Sequence, residues 1–103
     1  MAELLKVAKK TDVPEGTCKH VELEDRGIAV ALYNVGGKLY AMDGTCPHMG
    51  GPLGEGDLDG NVVTCPWHGW QFDVTTGNCA VRPGTKQTAY PVKTDGDDIL
   101  VEV

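Results

Sequence analysis

Two short cysteine–histidine pairs, Cys46-x-His48 and Cys65-x-x-His68, constrain this chain more than anything else in it. Two thiolates and two imidazoles form a mixed soft and borderline donor set that suits iron or zinc. The internal spacings differ, so the pairs are expected on two loops of different shape. The residues around them favour loops. Gly44, Gly50, Gly51, Gly54, Gly56, Gly60 and Gly69 permit tight turns and close backbone approach to a bulky centre. Pro47, Pro52 and Pro66 stiffen the same stretch and bring no N–H of their own. On donor type alone, a zinc site that only ties loops together is the commoner outcome. Such sites usually pair their ligands near a short helix, and no helical periodicity is readable here.

The wording around the pairs is more specific. Cys-Pro-His-Met-Gly-Gly-Pro-Leu spans 46–53, and Cys-Pro-Trp-His-Gly-Trp spans 65–70. Phe72-Asp73 and Thr76-Gly77 follow. In these residues the chain resembles the Rieske iron–sulfur family, in which two cysteines bind one iron of a [2Fe–2S] cluster and two histidines bind the other. The resemblance implies one cluster per chain, with Cys46 and Cys65 on the inner iron and His48 and His68 on the outer. It implies an all-β Rieske fold. The base is an antiparallel β-sandwich or barrel-like unit, and a small cluster-binding subdomain, approximately 44–83, is inserted into it. Residues 1–103 then form a single Rieske domain. A proline-containing loop covers the cluster in the family. Pro83 and Gly84 match it, with an ordinary surface turn as the equal alternative.

Departures from the family's high-potential branch also carry meaning. That branch joins its two cluster loops by a disulfide, and the matching positions here are Gly51 and Trp67. It also uses a Ser and a Tyr hydroxyl as donors to cluster sulfur, where this chain has Trp70 and Phe72. Such donors stabilise the added electron, so their loss implies the lower part of the Rieske range of ~−150 to +300 mV. Imidazole edges can reach the surface, which makes His48 and His68 the expected electron port. Met49 and Trp67 either form an apolar rim around it or pack beneath the loops.

A chain of 103 residues is one domain and buries roughly two-thirds of its unfolded surface. With one Phe, two Trp and three Tyr, its core must come from Val, Leu, Ile and Ala. A bound cluster would supply crosslinking that a small core lacks. The net charge of −6, with no Lys/Arg cluster to offset it, argues against nucleic-acid binding. It suits a basic patch on a protein partner, or simply solubility. Met1 to Lys10 carries Glu3, Lys6, Lys9 and Lys10 and no long apolar run, so no secretory signal is expected. A cytoplasmic setting then favours metal ligation over disulfides for the four cysteines. No stretch approaches the ~20 apolar residues that cross a membrane. Outside the motif, Cys18 reads as a small buried thiol, Cys79 as an exposed, oxidisable one and His20 as a surface residue.

Short strands and glycine-rich turns fill the rest. Strands are expected at Leu4–Ala8 and Cys18–Leu23, and in a hairpin of Ile28–Val35 and Leu39–Met42 around Gly36-Gly37-Lys38. The run Leu53 to Gly60 reads as polar and turn-rich. Asn61–Thr64 is a strand delivering Cys65, and Trp70–Asp73 is its partner. Ala80–Thr88 is a third loop. Tyr90-Pro91-Val92 and Ile99–Val103 close the fold around an acidic turn at 95–98.

The resemblance implies a soluble Rieske-type ferredoxin, a monomer that carries single electrons and is not itself an enzyme. Its partners would be a flavin-containing NAD(P)H reductase and a terminal oxygenase acting on aromatic rings. The same motif wording is similar to the small subunit of assimilatory nitrite reductase, whose partner is the large subunit. A zinc-stabilised interaction module without redox activity is the third reading.

Overall fold

The computed structural model describes residues 4–23, 27–45, 52–67, 69–80 and 84–102. Ten strands run through them: β1 (Leu4–Lys9), β2 (Cys18–Leu23), β3 (Ile28–Val35), β4 (Lys38–Asp43), β5 (Asp57–Asp59), β6 (Val62–Thr64), β7 (Gln71–Asp73), β8 (Ala89–Tyr90), β9 (Val92–Asp95) and β10 (Asp98–Glu102). Helix is confined, among the described residues, to the 3-10 turns Lys10–Asp12 and Leu53–Glu55. No helix of the described residues is long and apolar enough to cross a membrane.

Three antiparallel sheets form, in the orders β1-β10-β9, β2-β3-β4-β8 and β5-β6-β7. The second is the wall between two cores. Val30 and Leu32 of β3 and Ala41 of β4 pack against Ala8, Val13, Ile99 and Val101, which closes the sandwich with the first sheet. Ala31 and Tyr33 of β3 and Met42 of β4 face the other way, onto Leu53, Val63, Cys65, Phe72, Val74 and Cys79. Covering both faces of β3 explains its unbroken apolar run from Ile28 to Tyr33, where a sheet wetted on one side would alternate.

The expected hairpin forms with a tighter turn. Gly36 and Gly37 adopt φ of 61° and 92°, and Lys38 belongs to β4. Two consecutive positive φ values suit a two-residue hairpin, and glycine takes them without a Cβ penalty. Asn34 secures the turn: its Oδ1 accepts from Gly37 N at 2.9 Å, while its Nδ2 donates to the Val13 carbonyl at 2.9 Å.

Two expectations change. The run from Leu53 to Gly60 contains strand β5, whose pattern Asp57-Leu58-Asp59 offers one inward apolar residue between two exposed carboxylates. So short an alternation carries too little signal against its glycine flanks. Tyr90-Pro91-Val92 is two strands. β8 pairs with β4, and after Pro91 the chain enters the other sheet as β9 beside β10.

Candidate metal centre

The stretch that carries the first cysteine–histidine pair lies in sequence between the end of β4 and Pro52. Its root is well held. Gly44 N donates to the Ala29 carbonyl at 2.8 Å, Leu53 N donates to the Gly44 carbonyl at 2.9 Å, and Thr45 and Pro52 form an isolated antiparallel bridge. Cys46, His48, Met49, Gly50 and Gly51 lie outside the described residues.

The second stretch tops the β6–β7 hairpin. Val63 pairs with Phe72, and Cys65 N donates to the Trp70 carbonyl at 2.7 Å, which closes the loop over Pro66 to Gly69. Gly69 has φ of 73°, a left-handed value that a side chain would resist. The Cys65 side chain turns inward and is 2% exposed. Trp67 is 49% exposed, so it belongs to the surface of this loop rather than beneath it. His68 lies outside the described residues. Leu53, at the exit of the first stretch, and Cys65, at the entry of the second, share one apolar floor with Phe72 and Val63.

The third loop folds back beside β7. Ala80 N donates to the Gln71 carbonyl at 2.7 Å and Cys79 N to the Thr85 carbonyl at 2.9 Å, with an Asn78–Lys86 bridge between them. Gly84 has φ of 86°, and Pro83 lies outside the described residues.

Residues set aside by the motif behave differently from expectation. Cys79 is buried, at 7% exposure, because the Phe72–Cys79 bridge draws it into the floor. His20 is half-buried on β2, its Nδ1 enclosed without a hydrogen-bond partner and its Nε2 3.6 Å from a Glu22 carboxylate oxygen. Cys18 is half-buried, and its Sγ donates to the Gly56 carbonyl at 3.2 Å. Burial first, and then the negative charge of Asp57, push the Cys18 thiol above its ordinary pKa. Little thiolate exists at neutral pH, so iodoacetamide should modify Cys18 of the folded protein at least about tenfold more slowly than a free cysteine. Peptide mass spectrometry over time measures this, and modification at the free-thiol rate would contradict it.

Gln87 is a further residue that no motif singles out. It is 5% exposed, and its Nε2 donates to the carbonyls of Asp43 at 2.7 Å and Thr45 at 2.5 Å. A lone Gln in the polar run Thr85-Lys86-Gln87-Thr88 gives no sequence signal of burial.

Asp73 fixes the turn that follows β7. One carboxylate oxygen accepts from Thr75 Oγ1 at 2.6 Å and Thr75 N at 2.9 Å, and the other accepts from Asn61 Nδ2 at 3.2 Å. The Thr75 hydroxyl leads the causes that hold this carboxyl below its ordinary pKa, against a smaller opposing effect of burial. A carboxyl depressed by folding stabilises the native state above its unfolded pKa, and the contribution disappears as pH falls through the depressed value. Asp73→Asn should cost about 1 kcal/mol at pH 7, at the low end because the group is largely solvated. The deficit should shrink below about pH 4, where the unfolded carboxyl begins to protonate. Paired denaturant titrations across pH test it, and a deficit that persists unchanged into strong acid would refute the ionic origin.

Known proteins resemble the chain over most of its length. A family model described as the Rieske [2Fe-2S] domain matches residues 3–94. The ferredoxin component of the naphthalene 1,2-dioxygenase system of Pseudomonas aeruginosa is 37% identical over 93 residues, covering 89% of this chain and 88% of that one. The 3-phenylpropionate/cinnamic acid dioxygenase ferredoxin subunit of Escherichia coli (strain K12) is 38% identical over 94 residues, covering 89% and 86%. Among solved structures, Sphingomonas yanoikuyae B1 ferredoxin superimposes with a TM-score of 0.88 at 29% identity, covering 98% of this chain and 99% of that one. A chain in the complex of reduced oxygenase and oxidized ferredoxin in carbazole 1,9a-dioxygenase gives 0.86 at 35% identity, covering 95% and 91%.

Proposed function

Because the chain belongs to the Rieske [2Fe–2S] domain family, we propose that Cys46, His48, Cys65 and His68 hold its single cluster. Cys46 and Cys65 take one iron, and His48 and His68 the other. One observation carries this assignment beyond the motif. Cys65 presents a buried thiol at the closed tip of the β6–β7 hairpin, over the same apolar floor that roots the exit of the Cys46–His48 stretch. A [2Fe–2S] cluster supplies storage and release of one electron. The chain's own residues do the rest. Leu53, Val63 and Phe72, all fully buried, keep water from beneath the ligand loops. The bonds at Gly44 and Cys65 each close the root of one loop. Exposed Trp67, next to His68, gives a partner an apolar surface beside the histidine ligands. Residues approximately 44–83 thus act as a cluster-binding subdomain within one domain.

The chain is a ferredoxin, an electron-transfer component rather than a catalytic subunit, as its relatives are named. It takes electrons from a flavin-dependent NAD(P)H reductase and delivers them to a terminal oxygenase, working as a monomer in the cytoplasm. That reading is favoured over a nitrite reductase subunit by relatives drawn from dioxygenase systems, and over a zinc module by the family match. Anaerobically purified protein should contain about two irons and two acid-labile sulfides per chain. It should be reduced by a dioxygenase-system reductase with NADH or NADPH and reoxidised by the matching oxygenase. Stoichiometric zinc in a colourless protein would overturn the proposal.

A further inference from the structure

We infer that Gln87 is a positioning residue for the first ligand stretch. By holding the carbonyls of Asp43 and Thr45, its side-chain amide sets how Cys46 and His48 are presented to the cluster. The inference rests on the ligand assignment proposed above and adds a residue that the motif does not contain.

Gln87 is the one buried polar side chain among the described residues. An amide hidden from water costs free energy unless its donors and acceptor find partners, and an apolar side chain of similar size would fill the space without that cost. Its two N–H groups go to two carbonyls on one strand end, Asp43 O at 2.7 Å and Thr45 O at 2.5 Å. Thr45 is bonded directly to Cys46.

The other end of Gln87 is equally fixed. Its main-chain N donates to the Gly77 carbonyl at 2.7 Å, and the adjacent Thr88 carbonyl accepts from Asp43 N at 2.8 Å. Gly77 itself is bonded to the end of β7, through Gly77 N to the Asp73 carbonyl at 2.7 Å. The close approach is built in. A Cβ added at Gly77, whose φ is 83°, would lie 2.5 Å from the Gln87 carbonyl oxygen. Gln87 therefore links the turn below the second ligand hairpin to the last residues before the first ligand. The apolar floor also joins these two parts, but apolar contact is non-directional and tolerates sliding. Two hydrogen bonds from a planar amide fix distance and angle. Asp43 to Thr45 is where such a constraint is transmitted to Cys46 and His48.

The test compares wild type, Gln87→Met and Gln87→Asn as cluster-loaded proteins. Methionine keeps the length and removes both donors. Asparagine keeps the donors but is one methylene too short to span both carbonyls. The first readout is the rate at which an iron chelator bleaches the visible absorbance. The second is the EPR spectrum of the dithionite-reduced cluster, and the third its midpoint potential. Gln87→Met should lose its cluster about tenfold faster, within the range seen when supporting hydrogen bonds around metal ligands are removed. Its EPR spectrum and midpoint should both move, and Gln87→Asn should follow in the same direction by less. If Gln87→Met bleaches before it can be measured, that is the expected loss at its limit, and Gln87→Asn then supplies the spectrum and potential. Wild-type EPR and wild-type potential in both variants, with only a lower unfolding midpoint, would show that Gln87 merely supports the fold and would overturn the inference. Wild-type protein without a [2Fe–2S] spectrum would instead identify the ligand assignment as the failure.

Discussion

Replacing Cys46, His48, Cys65 or His68 singly by alanine should each give a protein that retains almost no [2Fe–2S] cluster. Each iron of such a cluster depends on two protein ligands, so loss of one opens a coordination position to water and dioxygen. Among the described residues, the other two thiols and the third imidazole are held by contacts of their own. Cys18 is tied to the Gly56 carbonyl, Cys79 is held in the floor by its bridge to Phe72, and His20 lies on β2. The four cysteines of the sequence thus divide into two kinds, and the experiment separates them. Cys18→Ala and Cys79→Ala should keep their colour, with about two irons per chain. Cys65→Ala carries a second penalty, because it removes a buried side chain as well as a proposed ligand and leaves a cavity costing up to a few kcal/mol. Visible absorbance and iron analysis on all six variants give the answer. A coloured Cys46→Ala beside a colourless Cys18→Ala would reverse the assignment.

Gly56→Ala should be nearly as damaging, although Gly56 is not itself a proposed ligand. Its φ of −79° and ψ of −175° are open to any residue, so strain in the backbone is not the reason. Space is the reason. A Cβ at Gly56 would overlap the main-chain oxygen of Thr64, the residue before Cys65. Gly54 is similarly confined, with a Cβ reaching 2.6 Å from His20 Cα and 2.7 Å from the Lys19 carbonyl oxygen. Main chain cannot step aside as a flexible side chain can. Overpacking of this kind costs about 1–3 kcal/mol or more, and each kcal/mol lowers Tm by about 4–8 °C in a domain of this size. The relief available is for the Leu53–Glu55 turn to lift off β2 and β6, which takes the Cys18–Gly56 hydrogen bond with it. Gly56→Ala should therefore load less cluster, and the loaded fraction should melt on the order of 10 °C lower. Gly96→Asn is the control. Gly96 has φ of 59° and open space around its Cα, and asparagine tolerates that conformation. Equal losses in the two variants would show that glycine content, rather than the close approach at Thr64, is what matters.

Much of this molecule is legible in its residues because loops and ligands are written locally. Cys65 with its flanking strands, the Gly36-Gly37 hairpin and the turn at Thr75-Thr76-Gly77 all follow from neighbours in sequence. The family pattern at 46–53 and 65–70 adds the cofactor. What escapes is what depends on partners far along the chain. Cys79 looks exposed because it follows a turn, yet Phe72 pairs with it across the β7 edge. His20 looks like an ordinary surface residue until the Leu53–Glu55 turn packs over its main chain. Gln87 reads as one more polar loop residue, and only the fold brings it 44 positions back to Asp43. β5 is missed for another reason. Three residues, two of them solvated carboxylates, do not contain enough alternation to declare a strand.

The sheet shared by the two cores has a bearing on the metal-free chain. Val30, Leu32 and Ala41 belong to the sandwich side of β3 and β4, and that side needs no cluster for its packing. Ala31, Tyr33 and Met42 on the reverse are covered by the half of the molecule that carries the ligand loops. Loss of iron and sulfide would loosen the cover and leave the sandwich intact. A folded remnant would then show Tyr33 and Met42 to water as a contiguous apolar surface, the kind of signal that chaperones and proteases recognise. The same wall that lets two small cores share one sheet would thereby mark each molecule that has failed to acquire its cluster, or has lost it, for rescue or destruction.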